Sequence, residues 1–388
     1  MTVFKEFLIE TNIRKTRLDP IIKWAGGKEK ELKYIYPFIP NFKNYYEPFV
    51  GGGAVYFSLE ADRFFINDKS SELIDLYIVL KEQDKLFFDF INLLMKKWEI
   101  LSFIVRKNYD EIVKNYKNFS NEKVDIENIK EWFFDFVDKN KEDFLEVEDL
   151  RLKIEDGVFL NELNKNVLNK LNRMKMIEKE KGNLIEDDIV SNFETALKSS
   201  FYMYIRYIYN NSYRYDLDNS IKTSLFYFIR NYAYSGMFRY NKRGNFNVPY
   251  GGIGYNSKNL CKKLKKFKEE EFVKHLNKTN IENLDFEDFL KKYNPSKDDF
   301  IFLDPPYDSE FSTYTKNSFT KKDQIRLANY LINSIKAKWL MIIKNTDFIY
   351  ELYSNRPNIK IDSFKKRYLV SFKNRNDKNA EHLIVRNY

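Results

Sequence analysis

The chain predicts an α/β fold, a parallel sheet with alternating helices, interrupted by a long helical segment. Three observations carry this. An apolar strand, Tyr45–Val50, runs into Gly51-Gly52-Gly53. A second strand, Arg63–Asn67, ends on an acid, Asp68, and an amphipathic helix follows over Glu72–Lys81. A third apolar run, Asp299–Leu303, stops at Asp304-Pro305-Pro306-Tyr307. Strand, glycine turn, helix, strand and acid is the order in which a parallel α/β sheet begins.

Taken along the chain, clear structure starts at Pro20–Leu59, with Lys23-Trp24-Ala-Gly-Gly-Lys28 as a turn. It is not a Walker A loop, because Ile22 stands where that motif requires glycine. Ala54–Glu60, after the glycines, reads as helical. From about Leu101 to Ser199 glycine is rare, Lys, Glu and Asn dominate, and apolar residues recur at helical spacing, as in Trp132-Phe-Phe-Asp-Phe-Val137. This predicts a mainly helical insertion with turns at Gly157 and Gly182. Tyr202–Tyr234 is an aromatic helical region. Arg239–Gly254 switches to turn chemistry and reads as a hairpin or ordered loop. The α/β pattern returns with strands at Thr279–Asn283, Phe300 and Trp339–Ile343. Ser363–Ser371 and His382–Asn387 are read as a closing hairpin. The expected divisions are 1–98, 99–265 and 266–388, the middle one carrying the insertion and the hairpin.

Composition narrows the classes. The chain has 388 residues, 43% of them hydrophobic and 17% aromatic, which supports a substantial core rather than wholesale disorder. A net charge of +9 and a pI near 9.0 suit a polyanionic partner such as nucleic acid, although an AT-rich genome produces the same Lys, Asn, Ile and Tyr richness. One cysteine, Cys261, excludes an internal disulfide and fits a reducing compartment. His275 and His382 have no metal-ligand spacing, so neither a metal site nor a Ser-His-Asp triad is expected. The charged N-terminus is unlike a signal peptide, and no apolar run is long enough to span a membrane. A cytoplasmic location is expected.

Several motifs carry chemistry. Two prolines after Asp304 end the strand in a rigid corner with a carboxylate, carbonyls and an aromatic face. Such a corner suits gripping a planar base: carboxylate and carbonyl accept from an exocyclic amino group while a ring stacks. A plain strand-to-loop turn is the alternative at this point. The Gly51–Gly53 loop lacks the third glycine of a dinucleotide fingerprint, since Tyr56 stands there, and Glu47 would repel a pyrophosphate. Glu47 makes more sense facing a cation such as S-adenosylmethionine. Trp24 and Lys28 flank a Gly-Gly turn able to meet a ligand's carboxylate. Asp285 and Phe286, at or beyond a strand end, suit an amino group and a ring face, or a plain loop acid beside a core Phe. Phe238–Lys268 holds nine Lys or Arg and no acid. Phosphate contact is the natural use of that charge, a solvated face the alternative.

In this order, Lys23-Trp-Ala-Gly-Gly-Lys28, Glu47-Pro-Phe-Val-Gly-Gly-Gly53, Asn67-Asp68, Arg239-Tyr-Asn-x-x-Gly-x-Phe-Asn-Val-Pro-Tyr-Gly251 and Asp304-Pro-Pro-Tyr307 resemble the Dam-type, α-group, D12-class DNA adenine-N6 methyltransferases, both solitary and restriction-linked. The resemblance covers roughly 1–95 and 200–388. It implies a Rossmann-like S-adenosylmethionine-dependent methyltransferase sheet with helices on both faces, plus a mainly helical target-recognition domain carrying a hairpin. It implies S-adenosylmethionine as cofactor, double-stranded DNA as partner, base flipping, and a separately encoded endonuclease for a restriction-linked member. By resemblance Asp304, Pro305, Pro306 and Tyr307 are the catalytic loop. Trp24, Lys28, Glu47, Phe49, Gly51, Gly53, Asp68, Asp285 and Phe286 line the cofactor, with Asp304 beside them. Tyr234, Ser235, Met237, Arg239, Asn241, Lys242, Arg243 and Pro249 make the DNA-reading element. Members that read GATC usually carry Asn-Gly-Leu before the Arg-Tyr-Asn. Here Ser235 and Met237 replace that Asn and Leu, which puts GATC specificity in doubt. N4-cytosine or RNA adenine methylation stays open as an alternative, as does a non-catalytic DNA-binding protein on a methyltransferase fold.

Overall fold

A computed structural model describes residues 12–237, 239–307, 319–367 and 379–388. The chain forms two compact units, Met1–Glu82 with Lys268–Tyr388, and Gln83–Phe267.

The first unit opens with β1 (Asn44–Glu47), β2 (Arg63–Asn67) and α1 (Ser71–Lys81). β1 is shorter than the expected Tyr45–Val50, because Pro48 has no N–H to continue the ladder. Ala54–Glu60 is not a helix. It holds one 3₁₀ turn, Tyr56–Ser58, and Leu59 then pairs antiparallel with Ile13. Val55, Tyr56, Phe57 and Leu59 are all buried, so the segment has no solvent side for an amphipathic helix to present. Helix α1 starts at Ser70, whose hydroxyl accepts from the Leu73 N–H.

The second unit is helical: α2 (Lys85–Lys107), α3 (Tyr109–Ser120), α4 (Ile126–Lys139), α5 (Lys141–Glu148), α6 (Val158–Lys181), α7 (Glu186–Asn210), α8 (Asn219–Tyr232) and α9 (Cys261–Lys266). Gly157 caps the start of α6 and Gly182 its end, as expected. Between α8 and α9, antiparallel bridges join Tyr240 to Phe246 and Ala233 to Tyr250, so the hairpin is present. Phe238 lies outside the described residues.

The chain returns to the first unit through α10 (Glu270–Asn277), β3 (Thr279–Glu282), α11 (Phe286–Tyr293), β4 (Phe300–Leu303), α12 (Lys321–Asn333), β5 (Lys338–Lys344), α13 (Asp347–Tyr353), β6 (Lys360–Arg367) and β7 (Asn379–Arg386). The strands form one sheet in the order β3-β2-β1-β4-β5-β7-β6. β1 to β5 are parallel, and β6 and β7 close the edge as the expected antiparallel hairpin. The expected residues 368–371 of that hairpin lie outside the described set. From β1 the chain winds outward to β2 and β3 on one side, and to β4 and β5 on the other. The switch point of this Rossmann-like sheet therefore lies between the carboxyl ends of β1 and β4, where such folds bind ligands. Beneath it, Tyr46, Phe286, Phe289, Ile301, Leu303, Leu327, Trp339 and Met341 share one core.

Candidate active site

Four parallel strands deliver one acid each to this edge: Glu47 ends β1, Asp68 follows β2, Asp285 follows β3 and Asp304 follows β4. Glu47 and Asp304 flank the switch point. Lys28 links to the latter. Its buried Nζ forms an ion pair with Asp304 Oδ2, donates to the Gly26 carbonyl at 2.9 Å, and lies 3.3 Å from Tyr307 Oη. Pro306 is fixed from behind: Gln324 of α12, fully buried, donates to its carbonyl at 2.7 Å. Tyr307 sits edge-on to His382 of β7, ring centroids 5.4 Å apart.

Glu47 is buried and accepts from Tyr45 Oη at 2.7 Å. Burial pushes its carboxyl well above the usual range, and the charge of Asp304 adds to this. The Tyr45 hydrogen bond and Lys28 oppose it. Asp68 accepts from the Gly51 N–H at 3.0 Å and from the Ser70 N–H at 3.0 Å. Its carboxyl is raised by burial against the pull of those donors. Gly51 has φ +50°, and a Cβ there would stand 2.9 Å from Trp24 Cδ1. The glycine loop is thus a cradle pressed against Trp24, with Tyr77 Oη donating to the Gly51 carbonyl at 3.0 Å. Phe49 faces Phe286 and Phe319, ring centroids 5.7 Å away in both cases.

Asp285 is already engaged. Arg326 donates to its two oxygens at 2.6 and 2.9 Å, and its guanidinium covers the Phe286 ring at 4.4 Å. Asp285 also caps α11 through the Glu287 N–H at 3.1 Å. The Arg326 hydrogen bonds hold its carboxyl below the usual range. Sequence reasoning missed Arg326 and Gln324; both lie on an ordinary amphipathic helix and reach the site only through tertiary packing. It also gave Asn67 no role of its own. Asn67 donates to the Pro48 and Leu284 carbonyls at 3.0 and 3.1 Å and accepts from the Leu284 N–H at 2.7 Å, tying the loop after β1 to the loop after β3.

The second unit holds the other expected residues. Arg239 Nε donates to Asn247 Oδ1 at 2.9 Å. Asn241 Oδ1 accepts from the Arg243 and Asn245 N–H groups at 2.9 and 3.0 Å, so this atom shapes the hairpin tip. Tyr234, Ser235, Lys242, Arg243 and Pro249 are exposed. Ser235 adopts a left-handed φ of 53°. Buried Arg230 donates to the Gly236 and Met237 carbonyls at 3.1 and 2.7 Å. Burial lowers its guanidinium to about 10.

The model for the D12 class N6 adenine-specific DNA methyltransferases matches residues 24–184 and 152–368, a span that contains every acid of this edge. The chain belongs to that family. This DNA adenine-N6 methyltransferase is 25% identical over 376 residues to the Type II methyltransferase M.CviBI of Paramecium bursaria Chlorella virus NC1A, covering 96% of this chain and 100% of the relative. It is 26% identical over 391 residues to the Type II methyltransferase M.MjaIII of Methanocaldococcus jannaschii, covering 95% and 99%. The DNA adenine methylase of Vibrio cholerae is 22% identical over 334 residues, covering 84% and 80%. The methyltransferase therefore matches the Type II relatives along nearly its whole length, helical insertion included. Among its described residues no acid, Cys or His cluster is built to hold a metal, and no helix is long and apolar enough to cross a membrane.

Proposed function

We propose that the methyl donor is S-adenosylmethionine and that the acceptor is an adenine flipped out of double-stranded DNA. The pairing of Asp304 with Lys28 at the switch point, beside buried Glu47, carries this reading. The residues present fit the cofactor: a glycine cradle too close to Trp24 for a side chain, an acid after β2 for ribose hydroxyls, and a buried carboxyl for its cationic end. Bound there, S-adenosylmethionine supplies an electrophilic methyl group.

The chain's residues do the rest. Phe49 and Phe286 would wall the cofactor's adenine. A carboxylate has four lone-pair sites, so Asp285 can receive that adenine's amino group while keeping Arg326. The target adenine must leave the duplex because its N6 is engaged in base pairing. Tyr307 stacks on it, and Asp304 with the Pro305 carbonyl accept the two N6 hydrogens. This would aim the nitrogen lone pair at the methyl group that the cofactor would supply. Lys28 supplies the counter-charge for Asp304, which is also the first acceptor for the proton the methylated nitrogen must shed. Gln324 takes the Pro306 carbonyl and so holds the corner.

The unit Gln83–Phe267 is assigned to target recognition, with residues 234–252 reading DNA and the basic segment to Lys268 meeting phosphates. A separately encoded endonuclease is the partner expected of a Type II member, and the cytoplasm its location. Asp304→Ala is expected to abolish N6-methyladenine formation while S-adenosylmethionine still binds. Mass analysis of digested DNA alongside calorimetric cofactor titration tests this; robust turnover by the variant would remove Asp304 from the mechanism.

A further inference from the structure

The helical insertion is the part of the chain to which the catalytic site assigns nothing. Helix α7 begins in that insertion and runs past its end, and it carries a stripe of polar side chains four residues apart: Lys198, Tyr202, Arg206 and Asn210. All four bond the backbone of the segment after the hairpin tip. Asn210 donates to the Phe246 carbonyl at 3.0 Å and accepts from the Phe246 N–H at 2.8 Å. Tyr202 and Arg206 both donate to the Val248 carbonyl, at 2.9 and 3.0 Å. Lys198 donates to the Asn256 carbonyl at 2.7 Å. Below them, Thr195 Oγ1 and the Ser191 carbonyl accept from the Asn256 amide at 3.0 and 3.2 Å. Helix α7 is itself braced by α6, through Ser199 to Asn166 and Lys170 to Asn192, each at 3.2 Å.

We propose that this stripe sets which bases the enzyme accepts, with Tyr202, Arg206 and Asn210 as positioning residues for site discrimination. The proposal rests on residues 234–252 being the recognition element. Residues 246–248 continue from the Tyr240–Phe246 bridge, with Arg239 on one side: the Asn247 N–H donates to the Arg239 carbonyl at 3.1 Å. On the other side the helix stripe supplies the partners for the Phe246 and Val248 backbone groups. Phe246 and Val248 point inward and are buried, which turns Asn245, Asn247 and Pro249 the other way. A slip of one residue would reverse the alternation of buried and outward side chains over 245–249. By pairing Phe246 at both its N–H and its C=O, Asn210 fixes the register, and with it the placement of Asn247 and of the Arg239 it holds. A side chain that fixes register acts on base choice and leaves the chemistry at Asp304 alone.

The test is the ratio of kcat/KM for the preferred site to kcat/KM for sites differing by one base pair. The preferred site is found first, by modification-sensitive sequencing of plasmid from a methylation-free host expressing the full chain. In Tyr202→Phe with Asn210→Leu the ratio is expected to fall about tenfold or more, with S-adenosylmethionine affinity and circular dichroism retained. Tyr202→Phe keeps its ring and loses only the hydroxyl; it carries the test alone, with a smaller fall, if the double variant does not fold. A ratio within about twofold of the parent overturns the proposal, as does an equal loss of rate at every site. Arg239→Ala separates the two layers. If it alone alters site preference, the stripe is only a support. If neither it nor the stripe variants do, residues 234–252 are not the recognition element.

Discussion

A buried carboxyl beside a buried ammonium pair is costly to fold, and Glu47 shows the cost. Its folded pKa lies above its unfolded one, so the folded state holds the proton more tightly. The stability linked to Glu47 is complete below the unfolded pKa and is lost as pH rises through the raised folded value. Glu47→Gln is therefore expected to raise the melting temperature of the ligand-free protein at neutral pH and to flatten its decline with pH. The same change should weaken S-adenosylmethionine binding, and thermal melts from pH 5 to 9 with and without cofactor measure both. Asp285 behaves in the opposite sense. Held low by Arg326, it contributes above the unfolded carboxylate range and loses that contribution as pH falls through its lowered value. Arg326→Met should remove that acid-side loss, read as a flatter melting curve below about pH 4. Glu47 and Asp304 were legible in the sequence because their neighbours, Pro48, Gly51–Gly53 and Pro305-Pro306, are residues with strong backbone constraints. Arg326 was not, since nothing local distinguishes it from any exposed helix cation.

At the level of elements, the site depends on loops being held at fixed distances, and Asn67 does this for two of them. Replacing it by Leu strands the Pro48 and Leu284 carbonyls and the Leu284 N–H. Each buried group left without a partner costs about 1–3 kcal/mol. Asn67→Leu should lower the urea midpoint accordingly and raise the KM for cofactor more than it lowers kcat. The places of the strands and the glycine loop were legible because apolar runs and glycines are local signals, although β1 stops at Glu47, short of the expected Val50. Ala54–Glu60 was misread for an equally physical reason: a helix is expected from its place after a strand and a glycine turn, but burying Tyr56 and Phe57 together and pairing Leu59 with Ile13 holds it in another form.

For the whole molecule, a net charge of +9 on a DNA enzyme predicts strong ionic-strength dependence. The logarithm of DNA affinity should fall linearly with the logarithm of salt, by about 0.9 per phosphate neutralised. Changing Lys265 and Lys266 to Gln should reduce that slope by up to about 1.8 if both meet phosphates. Fluorescence anisotropy across a salt series gives the slope; an unchanged slope places the phosphate contacts elsewhere. The helical character of the insertion was legible from apolar spacing. The bonds of α7 to the segment from Phe246 to Asn256 were not, because those partners lie about 36 to 65 positions away along the chain.

The chain leaves the catalytic unit after α1 and re-enters it before α10, and the two ends of the excursion meet: the Gln83 side chain donates to the Phe267 carbonyl at 3.0 Å. A segment whose entry and exit touch can be inherited as a cassette. Recombination across that seam exchanges or resizes the whole excursion while the strands bearing Glu47, Asp68 and Asp304 keep their neighbours.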